Sequence, residues 1–224
     1  MLQLYFAVKP NLGLPLDMTG KTVGAGINQL FGQNPDYYAK FGWKGHNGID
    51  FTAPHATPLY APCDGEAFYA TDSHGGDGIY IRTPSSEAGQ QYNVILWHLI
   101  GKDDPVYHPL IPTDGTSIAV TVGALLGYTD NTGAPYESSG DHLHFGLVPT
   151  DGEDHELDPN NGYGGCIDPM PFFTGTFAQD ADTEAQAVQN SQTIVSAVAK
   201  DTVNTPSLRD QILSEVEAIL KKYI

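Results

Sequence analysis

The sequence predicts a mainly β fold: an antiparallel β-sheet domain with a C-terminal α-helical appendage. Three observations predict it. Between about residues 48 and 173, Gly and Pro punctuate short runs of β-like composition: GIDFTA, TPLYAP, GEAFYAT, GIYIRT, QYNVILWHL, ALLGYT and HLHFGLV. That spacing is typical of a compact antiparallel β domain. After GTFAQD the composition changes: residues 178–224 largely lose aromatics and glycine and gain Ala, Gln, Val and Leu, as helices do. The length, 224 residues, suffices for one large β domain with an appendage.

Taken in order, residues 1–42 form an N-terminal extension of mixed character. INQLFG and DYYAKFGW supply its aromatic surface, which is expected to pack on the sheet rather than line a groove. Residues 43–177 hold the β domain. Residues 178–224 form the helical tail, with one helix through DTEAQAVQNSQTIVSAVAK and a second opening at TPSLRDQ. There Thr205 or Ser207 can cap, Pro206 suits a first turn, and Leu208, Ile212, Val216 and Leu220 share one face. That stripe must be buried on the β domain or by self-association, because a short isolated helix is marginal in water. No internal repeat is visible.

The net charge is −17 and the pI about 4.5. Such a balance disfavours nucleic acid and anionic membrane surfaces, which would be repelled. No apolar run approaches the roughly 20 residues needed to span a bilayer. The start, MLQLYFAVKPNLG, has neither a basic n-region nor a sustained apolar core, so no secretory leader is expected. Cys63 and Cys166 are too few for a disulfide framework and read as two reduced, partly buried thiols.

In SSGDHLHFGLVP two histidines flank one leucine. On a strand His142 and His144 point to the same side and Leu143 to the other. With eight histidines in the chain, a chance His-x-His has odds of about one in four, so the pair needs partners elsewhere. They stand upstream in KGHNGIDFTAP, where Gly45 and Gly48 argue for a loop entering a strand rather than a helix. His46, Asp50 and one of the two paired imidazoles would give three protein ligands and an open fourth position. That composition fits a catalytic zinc site, since structural sites fill all four positions and usually employ thiolates. His98, at the end of the apolar strand NVILWHLIG, sits where a sheet delivers a side chain to a cleft.

The ordered motifs HNGID, TPLYAPCDGEAFYA, WHL, GALLGYTDNTG, SSGDHLHFGL and CIDPMPFF resemble the lysostaphin-like zinc endopeptidases, which cut the peptide part of bacterial peptidoglycan. The resemblance covers about residues 43–173. It implies a groove over an antiparallel sheet walled by loops, Zn²⁺ held by His46, Asp50 and His144, and His98 and His142 as the catalytic histidines. Zinc lowers the pKa of bound water to about 7 and polarises a carbonyl. A neighbouring imidazole can move the proton, and another can hydrogen-bond the developing oxyanion. The chain departs from the family pattern in Leu96-Trp97-His98-Leu99, where Tyr-x-His-Leu is common, and in the lengthened loop GKDDPVYHPLIPTDG. Both departures concern groove walls rather than ligands.

His55, His74, His108 and His155 lie in polar or Pro-rich loops and read as exposed. Asp141 alternates away from the pair and is left out of the site. TDGEDHELDPNNG lacks EF-hand spacing and reads as a solvated insertion rather than a calcium loop. Two function classes follow: a peptidoglycan hydrolase, suited to a phage-encoded lysin or virion component, and a non-catalytic binding or structural module such as a phage tail part or division regulator. Retention of all five site residues favours the hydrolase.

Overall fold

The structure, a computed structural model, describes residues 10–18, 21, 23–86 and 89–174. The helices expected in residues 178–224, with their stripe at Leu208, Ile212, Val216 and Leu220, lie outside the described residues. No described helix is long and apolar enough to cross a membrane.

Among the described residues, two α-helical turns, α1 (Val23–Gly26) and α2 (Pro35–Tyr38), and two 3-10 turns (Ala39–Phe41 and Met170–Phe172) accompany nine strands. These are β1 (Ile27–Gln29), β2 (Ile49–Thr52), β3 (Pro58–Tyr60), β4 (Gly65–Asp72), β5 (Gly76–Arg82), β6 (Gln91–Leu99), β7 (Ile118–Val120), β8 (Leu125–Tyr128) and β9 (His142–Thr150). Seven form one antiparallel sheet in the order β1-β2-β9-β6-β5-β4-β7, and β3 pairs with β8 in a separate ribbon. The sheet is therefore antiparallel, as expected from the short runs between Gly and Pro.

Period-two alternation gives the sheet one apolar face and one face for chemistry. In the register Ile49↔Phe145, Phe51↔Leu143, Leu96↔Phe145, Val94↔Leu147, Ile79↔Leu96 and Ile81↔Val94, every one of these side chains is fully buried. Burying an aliphatic or aromatic side chain of this size contributes about 1.5–3 kcal/mol. Leu59 and Leu126 of the ribbon are also fully buried. At the start of the described chain, Leu12 bridges to Phe173. The Phe173 ring packs 5.0 Å from Phe145 and 5.9 Å from Phe51.

The opposite face carries the pairs Asp50↔His144, Thr52↔His142, Trp97↔His144 and Ile95↔Gly146. The hydrophobic pattern that sinks Leu143 and Phe145 into the core thus raises His142 and His144 on the other side.

Candidate active site

A groove of about 610 Å³ runs over this second face, floored by Ala70, Tyr80, Ile95 and Trp97 and containing His46, Asp50, His98, His142 and His144. All five residues singled out in the sequence meet there. His46 comes from the loop before β2 and is held by the segment ahead of it: Gly32 N–H donates to the His46 carbonyl (2.8 Å), and His46 N–H donates to the Gln33 carbonyl (2.9 Å). Gly48 lets β2 lie close to β9, because a Cβ there would sit 2.5 Å from the Phe145 carbonyl oxygen and 2.6 Å from the His144 ring.

Three atoms converge. His46 Nε2 lies 3.1 Å from both Asp50 Oδ1 and His144 Nδ1, and His144 Nδ1 lies 3.0 Å from Asp50 Oδ1. Among the described residues, only this trio of His, Cys, Asp or Glu side chains brings potential ligand atoms together in this way. Tetrahedral zinc with bonds of about 2.0–2.1 Å separates its ligands by about 3.3 Å, so the triangle fits. The donor chemistry fits as well. His46 Nδ1 lies 3.3 Å from the Leu30 carbonyl, which can only accept, so that nitrogen carries a proton and the neutral ring would offer Nε2 as a lone pair. It faces the Asp50 carboxylate, and two electron-pair donors so close call for a cation between them, a proton in the metal-free chain or a metal ion in its place.

Electrostatics favour the ligating forms of Asp50 and His144. Burial alone would raise the Asp50 carboxyl, but the His144 and His46 imidazoles beside it hold it well below the usual carboxylate range. Burial also pushes His144 down, against the pull of Asp50, so its ring favours the neutral form that metals bind.

His98 and His142 stand beside the trio with ring centroids 4.6 Å apart. His142 Nδ1 donates to the Gly140 carbonyl (2.7 Å), and its Nε2 lies 3.7 Å from Asp50 Oδ1. His98 Nδ1 donates to the carbonyls of Thr132 (2.8 Å) and Gly75 (3.1 Å). Burial, reinforced by His144 and His142, lowers its pKa to about 4. The proton of each ring in its neutral form is thus fixed on Nδ1, which leaves Nε2 as the free nitrogen of that form.

Regular alternation would carry His98 to the core face with Val94 and Leu96. The ladder slips instead: Asp77 pairs with Leu99 and Gly78 with Trp97, leaving His98 as the extra residue of a β-bulge with φ +70°. A bulge re-aims a side chain, and here it puts Trp97 and His98 together in the groove.

One expectation is corrected. The aromatics of DYYAKFGW line the groove rather than pack in the core: Tyr37, Tyr38, Phe41 and Trp43 form its wall, and α2 buries no side chain. A single turn that opens on Asn34 at φ 56° is too short to press an apolar stripe onto the sheet. Tyr38 lies 5.6 Å from the His46 ring. Burial and the Asp50 charge raise its hydroxyl to about 12, so it stays a phenol.

The remaining histidines are exposed. His55 pairs with Asp130 and His155 with Asp151, while His74 lies edge-on to Tyr136 outside the groove lining. Asp141 accepts from His55 N–H and takes no part in the trio. In the acidic insertion Asp154 is tied to Arg82 and Asn93. Cys63 and Cys166 are buried and unpaired.

The model of peptidase family M23 matches residues 44–159. The chain belongs to peptidase family M23. This is the lysostaphin-like family that the six motifs resemble, and the antiparallel sheet agrees with it. An uncharacterized metalloprotease of Haemophilus influenzae is 26% identical over 152 residues, 63% of this M23 chain but 29% of that protein. The chain thus spans less than a third of the curated relative it matches. Among solved structures, lysostaphin from Staphylococcus simulans is similar at 22% identity and TM-score 0.45, over 66% of this chain and 48% of that one. The catalytic domain of the prophage-encoded M23 protein EnpA from Enterococcus faecalis is similar at 21% and 0.43, over 64% and 88%. A zinc containing peptidase from Vibrio cholerae is similar at 22% and 0.43, over 66% and 41%.

Proposed function

We propose that this M23 chain is a zinc-dependent endopeptidase that hydrolyses peptide bonds in the stem peptides or cross-bridges of bacterial peptidoglycan, with His46, Asp50 and His144 as ligands and His98 and His142 as catalytic residues. The observation that carries the reading is the triangle of ligand atoms at 3.0–3.1 Å with two further imidazoles, His98 and His142, beside it. Peptidoglycan as substrate class rests on the lysostaphin-like motifs, and the activity would suit a phage lysin or virion-associated wall hydrolase.

Zinc, when bound there, supplies Lewis acidity and lowers the pKa of a coordinated water to about 7. The chain supplies the rest. His46 and His144 would offer neutral nitrogens and Asp50 one negative charge, so a divalent ion held by them would keep a net positive charge. The groove lays an extended peptide across β2, β9, β6 and β5. The bare Nε2 of His98 or His142 can accept a proton from the attacking water, and once protonated it is an N–H donor to the leaving amine. The other imidazole is placed for the oxyanion. Such preorganised partners stabilise a tetrahedral transition state without reorganising.

Turbidity loss and zymography on purified peptidoglycan, with and without chelator, test this. Lysis that chelator abolishes and zinc restores is the expected result. Absence of cleavage on several peptidoglycan types, with zinc bound, would overturn it in favour of a binding module.

A further inference from the structure

The segment Asp130-Asn131-Thr132-Gly133, which follows β8, is not part of the groove lining, yet it grips His98 and Leu99 at several points. Asp130 N–H donates to the His98 carbonyl (2.8 Å). The Thr132 carbonyl accepts from His98 Nδ1 (2.8 Å). The Thr132 hydroxyl donates to the Leu99 carbonyl (2.7 Å) and accepts from Asp77 N–H (3.1 Å). Asp77 and Leu99 are the register partners that close the bulge, so one hydroxyl ties both strands at the point where the ladder slips.

A second loop meets the first over the same ring. The turn between β4 and β5 brings the Gly75 carbonyl to 3.1 Å from His98 Nδ1. The loops approach this closely because residue 133 is glycine at φ +90°: a Cβ there would lie 2.6 Å from the His74 carbonyl oxygen and 2.7 Å from Gly75.

We propose that Thr132 is a positioning residue: it closes a two-carbonyl cradle that holds His98 as the Nδ1–H tautomer, with Nε2 directed at the metal centre, and keeps residue 98 in its left-handed bulge. The inference rests on the catalytic role proposed for His98. Carbonyl oxygens only accept, so both contacts demand a proton on Nδ1. A neutral imidazole has one proton, and Nε2 is left bare. The ring so held stands beside His142 and His144, whose centroids lie 4.6 and 6.1 Å away. A non-glycine residue in the left-handed region persists only where its surroundings over-determine it. The hydroxyl of Thr132 supplies two of those constraints and the backbone of residues 130 and 132 supplies two more.

The test combines a tautomer measurement with kinetics on the full chain. Long-range proton–nitrogen correlation spectra of the imidazoles, recorded without metal and with zinc, should show His98 protonated on Nδ1. Thr132→Val keeps the shape and removes the hydroxyl. It should lower kcat about tenfold to a hundredfold, the range for lost supporting hydrogen bonds, with KM within about twofold and zinc content unchanged. Thr132→Ser should restore kcat. A wild-type His98 protonated on Nε2, or a Thr132→Val protein with wild-type kcat, would overturn the cradle. If Thr132→Val does not fold, the wild-type tautomer and the Thr132→Ser kinetics decide. If the wild type cleaves no peptidoglycan, the proposed function fails, while the tautomer measurement still decides the cradle.

Discussion

His98 and His142 lie on segments joined through the backbone of one residue, Asp130, whose N–H donates to the His98 carbonyl at 2.8 Å and whose carbonyl accepts from His142 N–H at 3.3 Å. The two rings, 4.6 Å apart, are thus set against each other by backbone rather than by side-chain packing. Substituting either ring should leave the strand scaffold in place. This separates loss of chemistry from loss of fold.

His98→Ala and His142→Ala should each retain one bound zinc and a wild-type circular dichroism spectrum while losing about 10²- to 10⁴-fold in kcat/KM, the usual weight of a proton-transfer group. Metal analysis alongside kinetics on a soluble peptide fragment checks both parts. Wild-type rates in both variants would remove the two histidines from the mechanism.

His144→Ala, by contrast, should lose the metal itself. The His144 Nδ1 is one corner of the triangle of converging atoms, 3.0 Å from Asp50 Oδ1 and 3.1 Å from His46 Nε2. Elemental analysis after mild purification should give about one zinc per wild-type chain and well under that in the variant. An unchanged zinc content would mean that the ligands lie elsewhere.

How much of this was legible in the sequence depends on which atoms do the work. His46, Asp50, His142 and His144 are side chains whose types and spacing announce themselves, and alternation alone places His142 and His144 on one face. The core pattern through Leu143, Phe145 and Leu147 is legible for the same reason. The bulge at His98 is not: it is a property of the register between β5 and β6, slipping between Asp77 and Gly78, and neither strand marks it by itself. The supports of the imidazoles, the carbonyls of Leu30, Gly75, Thr132 and Gly140, carry no sequence signal because every residue has one. For Tyr37 and Phe41, aromatic character reads as apolar packing, whereas the two successive short turns that carry them, Pro35–Tyr38 and Ala39–Phe41, leave both about half exposed at 52% and 51%.

The stability of the metal-free protein should depend on pH through His98. Burial and the neighbouring His144 and His142 lower its pKa from 6.5 to about 4, so between those values the unfolded chain binds a proton that the folded one refuses. Unfolding is then favoured as pH falls, and stability rises with pH across the window from about 4 to 6.5. At most this amounts to about 3 kcal/mol, from 1.36 kcal/mol per unit. Denaturant titrations at several pH values should show the slope, and His98→Asn should flatten it by about one proton. An unchanged slope in that variant would show that His98 titrates normally in the fold.

The aromatic wall should act on binding rather than on chemistry. Tyr37 and Phe41 meet edge to face at 5.9 Å, with Lys40 Nζ 3.7 Å from the Tyr37 ring centroid, and both line the groove without being buried by the fold. Removing them costs the folded state little, since surface substitutions away from packed features usually stay within about 0.5 kcal/mol. A substrate lying along the groove would cover these rings, and that contact is made equally in the ground and transition states. The double variant Tyr37→Ala, Phe41→Ala should therefore raise KM several-fold with kcat nearly unchanged, the pattern of lost uniform binding. Steady-state kinetics on peptides of increasing length would check it, because a short peptide that does not reach the wall should be cut equally well by both proteins. An equal loss on short and long peptides would place the wall outside the substrate path.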